Sequence, residues 1–307
     1  MAKKNRGPEY GPFLFNVYKP VGVTSFDVIR AFKYNLPKGF GKIGHFGTLD
    51  PFAEGVLMVA TGPATRLTDR VHEMTKTYIA KGVLGIHSPT GDLTAKEDEL
   101  IKSDCTFLKE KTLGDFKSTL ESKFQGDYMQ VPPHFSATKH EGKALHEWAR
   151  QGVLIEKEAV KRFIHNIEII EFDYPHVIFR ATVSSGTYIR TLFEDMAKEF
   201  ATTGALKELC REKIGPISMA NSIHTDNWPK RGECTVDDLL SIRTTFEELF
   251  DLPKCEIPEG KRDLLFNGAD VHCDYLDGEY LVVDQGVVIA LADVKKTRLK
   301  FKVRLFI

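Results

Sequence analysis

The sequence of 307 residues lacks long apolar runs, C-x-x-C cysteine pairs, internal repeats and low-complexity segments. No stretch approaches the ~18 apolar residues of a membrane span, and a polar start leads into Gly7 and Pro8, so we expect no membrane helix and no signal peptide. The five cysteines are odd in number and widely spread, which is typical of reduced thiols. These absences predict a cytoplasmic protein.

Cofactor signatures are missing as well. The chain has no cluster of metal ligands at a recognisable spacing, no phosphate-binding glycine loop and no dinucleotide fingerprint. We therefore expect no metal and no other cofactor.

Net charge is also nearly absent, with a formal value of -1 at pH 7 and a pI of about 6.8. Bulk electrostatics thus gives no support for a polyanionic partner, and an RNA partner would need locally clustered cations. One cluster comprises Lys3, Lys4 and Arg6, and another places six basic residues and no acid in residues 295–304. Taken alone, both are typical of solvated chain ends.

The composition that remains is that of an ordinary globular protein, with 42% hydrophobic, 28% charged and 10% aromatic residues. The length favours two domains, because single hydrophobic cores stop growing near this size. Short strand-like segments and turn glycines fill the last sixty residues. We predict a larger domain at 1–249 and a small β-rich domain at 250–307.

Hydrophobic periodicity predicts an alternation of strands and helices in the larger domain. In the first helix, Phe26, Ile29, Phe32 and Leu36 are predicted to form the buried face, with Thr24 or Ser25 as the cap. The other predicted segments are strands at 13–18, 55–61, 77–83, 160–172 and 176–184, helices at 64–74, 112–124 and 188–200, a loop at 41–51, and a long excursion at 125–152 with a helical piece at 144–150.

The loop G-H-F-G-T-L-D-P at 44–51 places His45 and Asp50 just before a buried strand. Taken alone, Asp50 before Pro51 is typical of a turn or cap residue, because aspartate folds back readily on its own backbone. His45 alone is likewise more typical of a structural residue.

Six motifs together carry more information than this loop. They are K-P-V-G-V-T-S at 19–25, G-H-F-G-T-L-D-P-F-A-E-G-V-L at 44–57, G-P-A-T-R at 62–66, K-T-Y at 76–78, V-P-P-H-F-S-A-T-K with G-K-A-L-H-E-W-A-R-Q-G at 131–152, and S-S-G-T-Y-I-R-T-L at 184–192. In content and order the chain resembles the TruB family of tRNA pseudouridine synthases. The resemblance implies a mixed α/β catalytic domain around a largely antiparallel sheet, followed by a PUA-like domain.

The implied reaction detaches uracil from C1′, rotates it and rejoins it through carbon, without a redox change or an external group. Asp50 would be the catalytic carboxylate, acting as a nucleophile at base or sugar or as a base toward a sugar proton. By resemblance, Tyr78 stacks on the target base and Arg190 pairs with Asp50, keeping it ionised. Taken alone, Tyr78 is typical of a core tyrosine and Arg190 of a surface arginine.

The resemblance assigns the substrate pocket to further residues. Tyr188 and Leu209 would line it, although both also fit a plain core. A uridine within a folded loop must be flipped out to react, and His45 would fill the space it leaves. Lys19 is a further predicted substrate contact.

Three positions depart from the family pattern. Asp92 would help to hold the flipped loop, but Pro89 stands where an acidic residue is expected, so a turn aspartate remains an alternative. Arg66 replaces a more usual lysine, and it is predicted either to contact the RNA backbone or to be a plain helix-start cation. Phe46 replaces a smaller residue.

Residues 123–152 correspond to the family's RNA-gripping insertion. Lys139, Lys143 and Arg150, together with Lys123, would contact phosphates, whereas Phe135 and Trp148 are predicted to pack.

The resemblance implies that the substrate is the T-loop uridine in the T arm of tRNA, and that the enzyme is a monomer without an obligate protein partner. One alternative is a guide-RNA-dependent synthase of the archaeal and eukaryotic kind, and another is a non-catalytic RNA-folding factor. The alternating cations of 298–304 predict either an edge strand protected by charge or a basic strip that contacts tRNA.

Overall fold

A computed structural model describes residues 10–136 and 139–306. The chain divides into two compact units. Among the described residues, the first unit contains 10–51, 55–72 and 215–306, and the second contains 52–54 and 73–214 apart from 137 and 138. Because these segments alternate along the sequence, neither unit is a continuous stretch of chain.

Eighteen strands and eight α-helices occur in the described part of the chain. The strands are β1 (Phe13–Lys19), β2 (Ile43–Phe46), β3 (Glu54–Thr61), β4 (Lys76–Leu84), β5 (Ile86–His87), β6 (Ile101–Lys102), β7 (Gly126–Gln130), β8 (Lys139–His140), β9 (Lys143–Ala144), β10 (Val160–Asp173), β11 (His176–Val183), β12 (Gly204–Ile214), β13 (Ile217–Ser218), β14 (Lys254–Glu256), β15 (Val271–His272), β16 (Gly278–Asp284), β17 (Val287–Lys295) and β18 (Arg298–Arg304). The helices are α1 (Ser25–Asn35), α2 (Thr68–Glu73), α3 (Leu113–Phe124), α4 (Leu145–Ala149), α5 (Ile189–Lys198), α6 (Val236–Ile242), α7 (Phe246–Leu249) and α8 (Arg262–Phe266).

In the first unit, β3 pairs antiparallel with β1 and with β2. The loop predicted at 41–51 is thus partly wrong, because residues 43–46 form a strand. A four-residue strand is specified by its partner rather than by its own periodicity, so the sequence alone did not reveal it.

Helix α1 begins after Thr24, whose side chain accepts a hydrogen bond from the backbone N–H of Asp27 while the Asp27 carboxylate accepts one from the backbone N–H of Thr24. This capping box fixes the predicted start of the helix. Its buried face consists of Ser25, Val28, Ile29 and Phe32. The prediction that Phe26 belongs to that face is wrong, because its side chain is 62% exposed.

The second unit contains an antiparallel sheet in the order β12, β4, β11, β10, β7. Helix α3 lies against β10 and helix α5 against β4 and β12. The predicted excursion includes β7, and beyond it lie the hairpin of β8 and β9 and helix α4. Strand β12 was not predicted, because its charged residues interrupt any simple alternation.

After residue 250 the chain forms a separate five-stranded sheet in the order β14, β16, β17, β18, β15. Its own apolar cluster includes Leu265, Val282 and Leu299. The mixed α/β architecture with largely antiparallel sheets confirms the predicted fold class, while the PUA-like character of this sheet stays a prediction. Across the described residues, no helix has the length and apolar character needed to cross a membrane.

Candidate active site and RNA contacts

Asp50 lies half-buried in the turn between β2 and β3, in the first unit. The residues on both sides of it are held by the segment 19–25. The Ser25 hydroxyl accepts a hydrogen bond from the backbone N–H of Leu49 at 2.9 Å and donates one to the carbonyl oxygen of Leu49 at 3.2 Å. The backbone N–H of Gly22 donates to the carbonyl oxygen of Pro51 at 2.8 Å. Two motifs that are distant in sequence therefore form one local structure.

Lys19 is completely buried at the base of this structure. Its ammonium group donates to the carbonyl oxygens of Val23 at 2.7 Å and Pro20 at 2.9 Å, and lies 3.5 Å from that of Pro51. A buried ammonium needs such acceptors to offset its lost hydration. Lys19 thereby ties the 20–24 turn to the Asp50 turn, and its predicted contact with substrate stays a prediction.

His45 is half-buried on β2, opposite Val59 of β3. Phe46, the next residue, is only 2% exposed and opposite Met58. Successive side chains of a strand point to opposite faces. The departure at Phe46 thus places a large ring in the core, and His45 points to the opposite face of the strand.

Tyr78 is half-buried near the start of β4, between Ala181 of β11 and Arg211 of β12. Leu209 of β12 is buried opposite Ala80. Because alternate residues share a face, Tyr78, Ala80 and Leu209 project from the same side of the sheet. The second unit thus brings two of the predicted pocket residues together.

Helix α5 covers that side of the sheet. A Cβ atom built on Gly82 would lie 2.0 Å from the ring of Phe193, and one on Gly204 would lie 2.7 Å from it. The Phe193 ring therefore lies directly on two glycines of β4 and β12. This close approach sets the distance at which α5 packs on β4 and β12.

Arg190 stands in the first turn of α5 and is 4% exposed. Its guanidinium donates to the carbonyl oxygen of Thr90 and, at 2.9 Å, to that of Phe135, and its Nη1 lies 3.9 Å from Oδ2 of Asp92. The interpretation of Arg190 as a surface residue is wrong. Its predicted pairing with Asp50 stays a prediction.

The buried carboxylate of Asp92 organises the turn that faces Arg190. Its Oδ1 accepts from the backbone N–H of Thr94 at 2.9 Å and from the hydroxyl of Thr90 at 3.1 Å. Asp92 is thus both the turn aspartate of the alternative interpretation and a neighbour of Arg190. Pro89 is exposed at the edge of this turn.

Tyr188 precedes α5 as its N-cap and is half-buried. The side chain of Gln130 accepts from its backbone N–H at 2.8 Å and donates to its carbonyl oxygen at 2.9 Å. Gln130 is 1% exposed. This glutamine of β7 therefore fixes the backbone of Tyr188, two residues before Arg190.

Two acidic residues follow on α5. Burial, opposed by Lys198 and Arg190 and assisted by Asp195, raises the pKa of Glu194 to about 7. The hydroxyl of Tyr128 donates to the Asp195 carboxylate, and burial together with that hydrogen bond raises the pKa of Tyr128. A second buried cation, Lys76 of the K-T-Y motif, has its pKa lowered to about 8 by burial and by nearby Arg211.

The remaining residues that are predicted to contact RNA belong neither to the Asp50 turn nor to the residues that contact Arg190. Arg66 is exposed, and its guanidinium donates to the carbonyl oxygens of Arg304 at 2.9 Å and Phe306 at 3.1 Å. Arg150 is exposed, and the exposed ammonium of Lys143 lies 4.9 Å from the Trp148 ring centroid. Lys123 forms an ion pair with Glu199. The side chain of Lys139 lies outside the described residues.

Sequence reasoning missed two residues that hold this framework, Ser25 and Gln130. Ser25 was predicted only as a possible helix cap, although its position in K-P-V-G-V-T-S was a usable signal. Gln130 carried no signal in a single sequence, because nothing local relates it to Tyr188. Among residues 10–136 and 139–306, no group of three or more His, Cys, Asp or Glu side chains is placed to hold a metal ion.

Comparison with known proteins agrees with the resemblance that the six motifs carry. The family described as "TruB family pseudouridylate synthase (N terminal domain)" matches residues 33–189. Two proteins named tRNA pseudouridine synthase B are 33% identical to this chain: that of Thermosipho melanesiensis over 92% of this chain and 90% of its own length, and that of Francisella philomiragia over 97% and 95%. The corresponding protein of Clostridium kluyveri is 40% identical over 68% of this chain and 70% of its own.

Solved structures support the fold. A Cbf5-Nop10-Gar1 complex contains a chain with a TM-score of 0.66 and 22% identity, over 97% of this chain and 89% of that one. An H/ACA RNP bound to a substrate RNA contains another, with a TM-score of 0.64 and 22% identity, over 96% and 85%. With the motifs in family order, the matched family region and relatives at 33% identity over nearly the whole length, the chain belongs to the TruB family of pseudouridylate synthases.

Proposed function

We propose that this protein is a tRNA pseudouridine synthase that isomerises the T-loop uridine, with Asp50 as its catalytic carboxylate and no cofactor. The observation that carries the proposal is the Asp50 turn, held at Leu49 and Pro51 by the K-P-V-G-V-T-S segment. That turn occurs in a chain whose relatives over nearly its whole length are named tRNA pseudouridine synthase B. It acts as a monomer in the cytoplasm, without an obligate protein partner.

The chemistry assigns a role to each group. The Asp50 carboxylate provides the nucleophile or base that frees the uracil, and Arg190 pairs with that carboxylate. Tyr78 stacks on the base, while Tyr188 and Leu209 line the pocket that holds it. His45 fills the space that the flipped uridine leaves. A rigid pocket is required, because the detached uracil must rotate without diffusing away.

Binding of the T arm depends on a second group of residues. Asp92 holds the flipped loop, and the cations of the insertion contact phosphates by charge and shape. The binding residues of this group are Lys19, Arg66, Asp92, Lys139, Lys143 and Arg150. Of the exposed cations among them, Lys143 and Arg150 lie in or next to the hairpin and helix that extend beyond β7.

Unmodified tRNA transcript and pure protein test the proposal directly. We expect pseudouridine at the T-loop position, mapped by chemical labelling, without guide RNA, partner protein or added cofactor. Asp50→Asn should abolish turnover while tRNA binding stays within a few-fold of the parent, because an amide keeps the shape but cannot act as nucleophile or base. A variant rate above about a tenth of the parent rate, roughly 1.4 kcal/mol in the barrier, would contradict the role of Asp50.

A further inference from the structure

The outward face of helix α1 carries two large aromatic side chains. Phe26 is 62% and Tyr34 63% exposed, and Arg30 lies between them. Residues four apart on a helix are neighbours on one face, so these three form a line about 12 Å long. The opposite face, with Val28, Ile29 and Phe32, is buried. The aromatic line is thus separate from the core-facing side of the helix.

A guanidinium group lies over each of the two rings. The Cζ atom of Arg30 is 5.3 Å from the Phe26 ring centroid, and that of Arg231 is 4.6 Å from the Tyr34 ring centroid. Cation–π attraction of this kind favours a pre-arranged set of rings and cations. We call this surface the α1 outer face. It consists of Phe26, Arg30, Tyr34 and Arg231, with neighbouring Lys33.

The charge of the α1 outer face favours a polyanion. Arg30, Lys33 and Arg231 are cations, and Asp27 pairs with Arg30 at 3.2 Å. The acid is also engaged in the helix cap through Thr24. Lys33 and Arg231 are further cations beside the two exposed rings.

The start of the α1 outer face is close along the chain to the Asp50 turn. Phe26 directly follows Ser25, whose hydroxyl holds Leu49, the residue before Asp50. An RNA segment whose uridine reaches Asp50 therefore has its neighbouring nucleotides within reach of the first turn of α1.

We propose that the α1 outer face binds unpaired nucleotides of the substrate RNA, whose bases stack on Phe26 and Tyr34 and whose phosphates pair with Arg30, Lys33 and Arg231. Every base offers a face for stacking, and proteins that bind single-stranded RNA combine aromatic rings with neighbouring cations. The inference rests on the proposed function, since it takes tRNA as the RNA.

The test compares a ring variant, Phe26→Ser with Tyr34→Ser, and a charge variant, Arg30→Gln with Lys33→Gln, with the parent. Phe107→Ser serves as the matched control, because Phe107 is an equally large ring that is 54% exposed in the second unit. Thermal unfolding of each variant establishes that it is folded. Dissociation constants for unmodified tRNA transcript are measured at several salt concentrations, together with kcat and KM for pseudouridine formation.

We expect the ring variant to raise the dissociation constant at least about tenfold, because two bases lose the rings on which they stack, and to leave the slope of the salt dependence unchanged. The charge variant should lower that slope by about one to two. Most of the loss in kcat/KM should be in KM, and the Phe107 control should bind like the parent.

A ring variant that binds tRNA within twofold of the parent overturns the proposal, and this is the result expected if the α1 outer face instead binds a protein. The activity of the parent on tRNA distinguishes a failure of the proposed function from a failure of the α1 outer face. A parent that forms no pseudouridine on tRNA contradicts the proposed function, whereas a parent that does so while the ring variant binds equally well contradicts the α1 outer face alone.

Discussion

At the scale of single residues, one hydroxyl group holds the residue directly before Asp50. Ser25 is 2% exposed and satisfies both backbone groups of Leu49. A side chain that pairs with both the N–H and the carbonyl oxygen of one residue fixes the position of that peptide unit.

Changing Ser25 to Ala should lower kcat about tenfold or more while KM changes less than about threefold, because the Asp50 turn loses its anchor and small misplacements of a reacting group are costly. Stability should fall by about 1–2 kcal/mol, since the N–H of Leu49 loses a buried partner. Steady-state kinetics on tRNA and urea unfolding measure both effects.

Ser25→Thr keeps the hydroxyl and should restore much of the kcat. As a control for stability alone, Ser222→Ala removes a hydroxyl that donates to the carbonyl oxygen of Met219 at 2.7 Å, outside the Asp50 turn. Equal losses of kcat in Ser25→Ala and Ser222→Ala would contradict a positioning role for Ser25.

At the scale of secondary-structure elements, the contact between α5 and the sheet is decided by glycine. The Phe193 ring leaves no space for a Cβ atom on Gly82. Helix α5 carries Arg190 in its first turn, and β4 carries Tyr78. The absence of a side chain at Gly82 therefore determines how closely the helix that carries Arg190 packs on the strand that carries Tyr78.

Gly82→Ala should destabilise the protein by about 1–3 kcal/mol and lower kcat, because the added methyl group pushes α5 away from β4. Urea unfolding and kinetics on tRNA are the measurements. Gly114→Ala is the matched control, since its Cβ would meet the Thr112 hydroxyl oxygen at an ordinary 3.5 Å and alanine suits a helix better than glycine. A Gly82→Ala variant as stable and active as Gly114→Ala would refute the close packing.

A buried glutamate of helix α5 also predicts that the stability of the protein depends on pH. Burial raises the pKa of Glu194 from 4.5 to about 7 in the folded protein. Between these two pH values the folded state holds a proton that the unfolded chain has released. The contribution of Glu194 to the free energy of unfolding is therefore complete below pH 4.5 and is lost as the pH rises through about 7. Glu194→Gln should therefore gain stability relative to the parent between pH 5 and pH 8.

Urea unfolding at pH 5, 6.5 and 8 measures this difference. The exposed residue Glu97 supplies a control, because Glu97→Gln should change the stability equally little at all three values. If the difference between Glu194→Gln and the parent is constant with pH, the buried carboxyl is not the cause.

At the scale of the whole molecule, the basic end of the chain is less available to RNA than its sequence indicates. Strand β18 pairs with β15 at Arg298 and Leu299, so the edge-strand interpretation holds only beyond Leu299. The other interpretation, a basic strip, is weakened by local partners. Lys302 lies 2.8 Å from Glu279, Arg298 lies 3.7 Å from Asp270, and Arg304 donates to the carbonyl oxygen of Phe266.

Replacing Arg298, Lys300, Lys302 and Arg304 together by Gln should therefore lower the salt slope of tRNA binding by about one, rather than the two or more expected from four free cations. The stability loss should also be small, because exposed ion pairs contribute about 0–1 kcal/mol each. Filter binding at four salt concentrations gives the slope. A decrease of three or more would mean that RNA displaces the acidic partners.

How much of the fold and of the candidate site could be predicted depended on how far apart along the chain the interacting residues are. The strand at 13–18, the helix after Thr24 and the identity of Asp50 as the candidate carboxylate follow from local pattern and motif, and the structure places the elements there. Phe26 was assigned to the wrong face, because helical spacing locates an apolar stripe but does not say which stripe meets the core.

The sequence by itself determined the family and the reaction class and predicted the residues that carry the chemistry, because motifs record which groups occur and in which order. The tertiary structure alone decided how they are held. Ser25 meets Leu49, Gln130 meets Tyr188 and Phe193 meets Gly82 across 24, 58 and more than a hundred residues of chain. Such contacts depend on hydrogen-bond geometry and on excluded volume between distant segments, and neither quantity leaves a periodic trace in a single sequence.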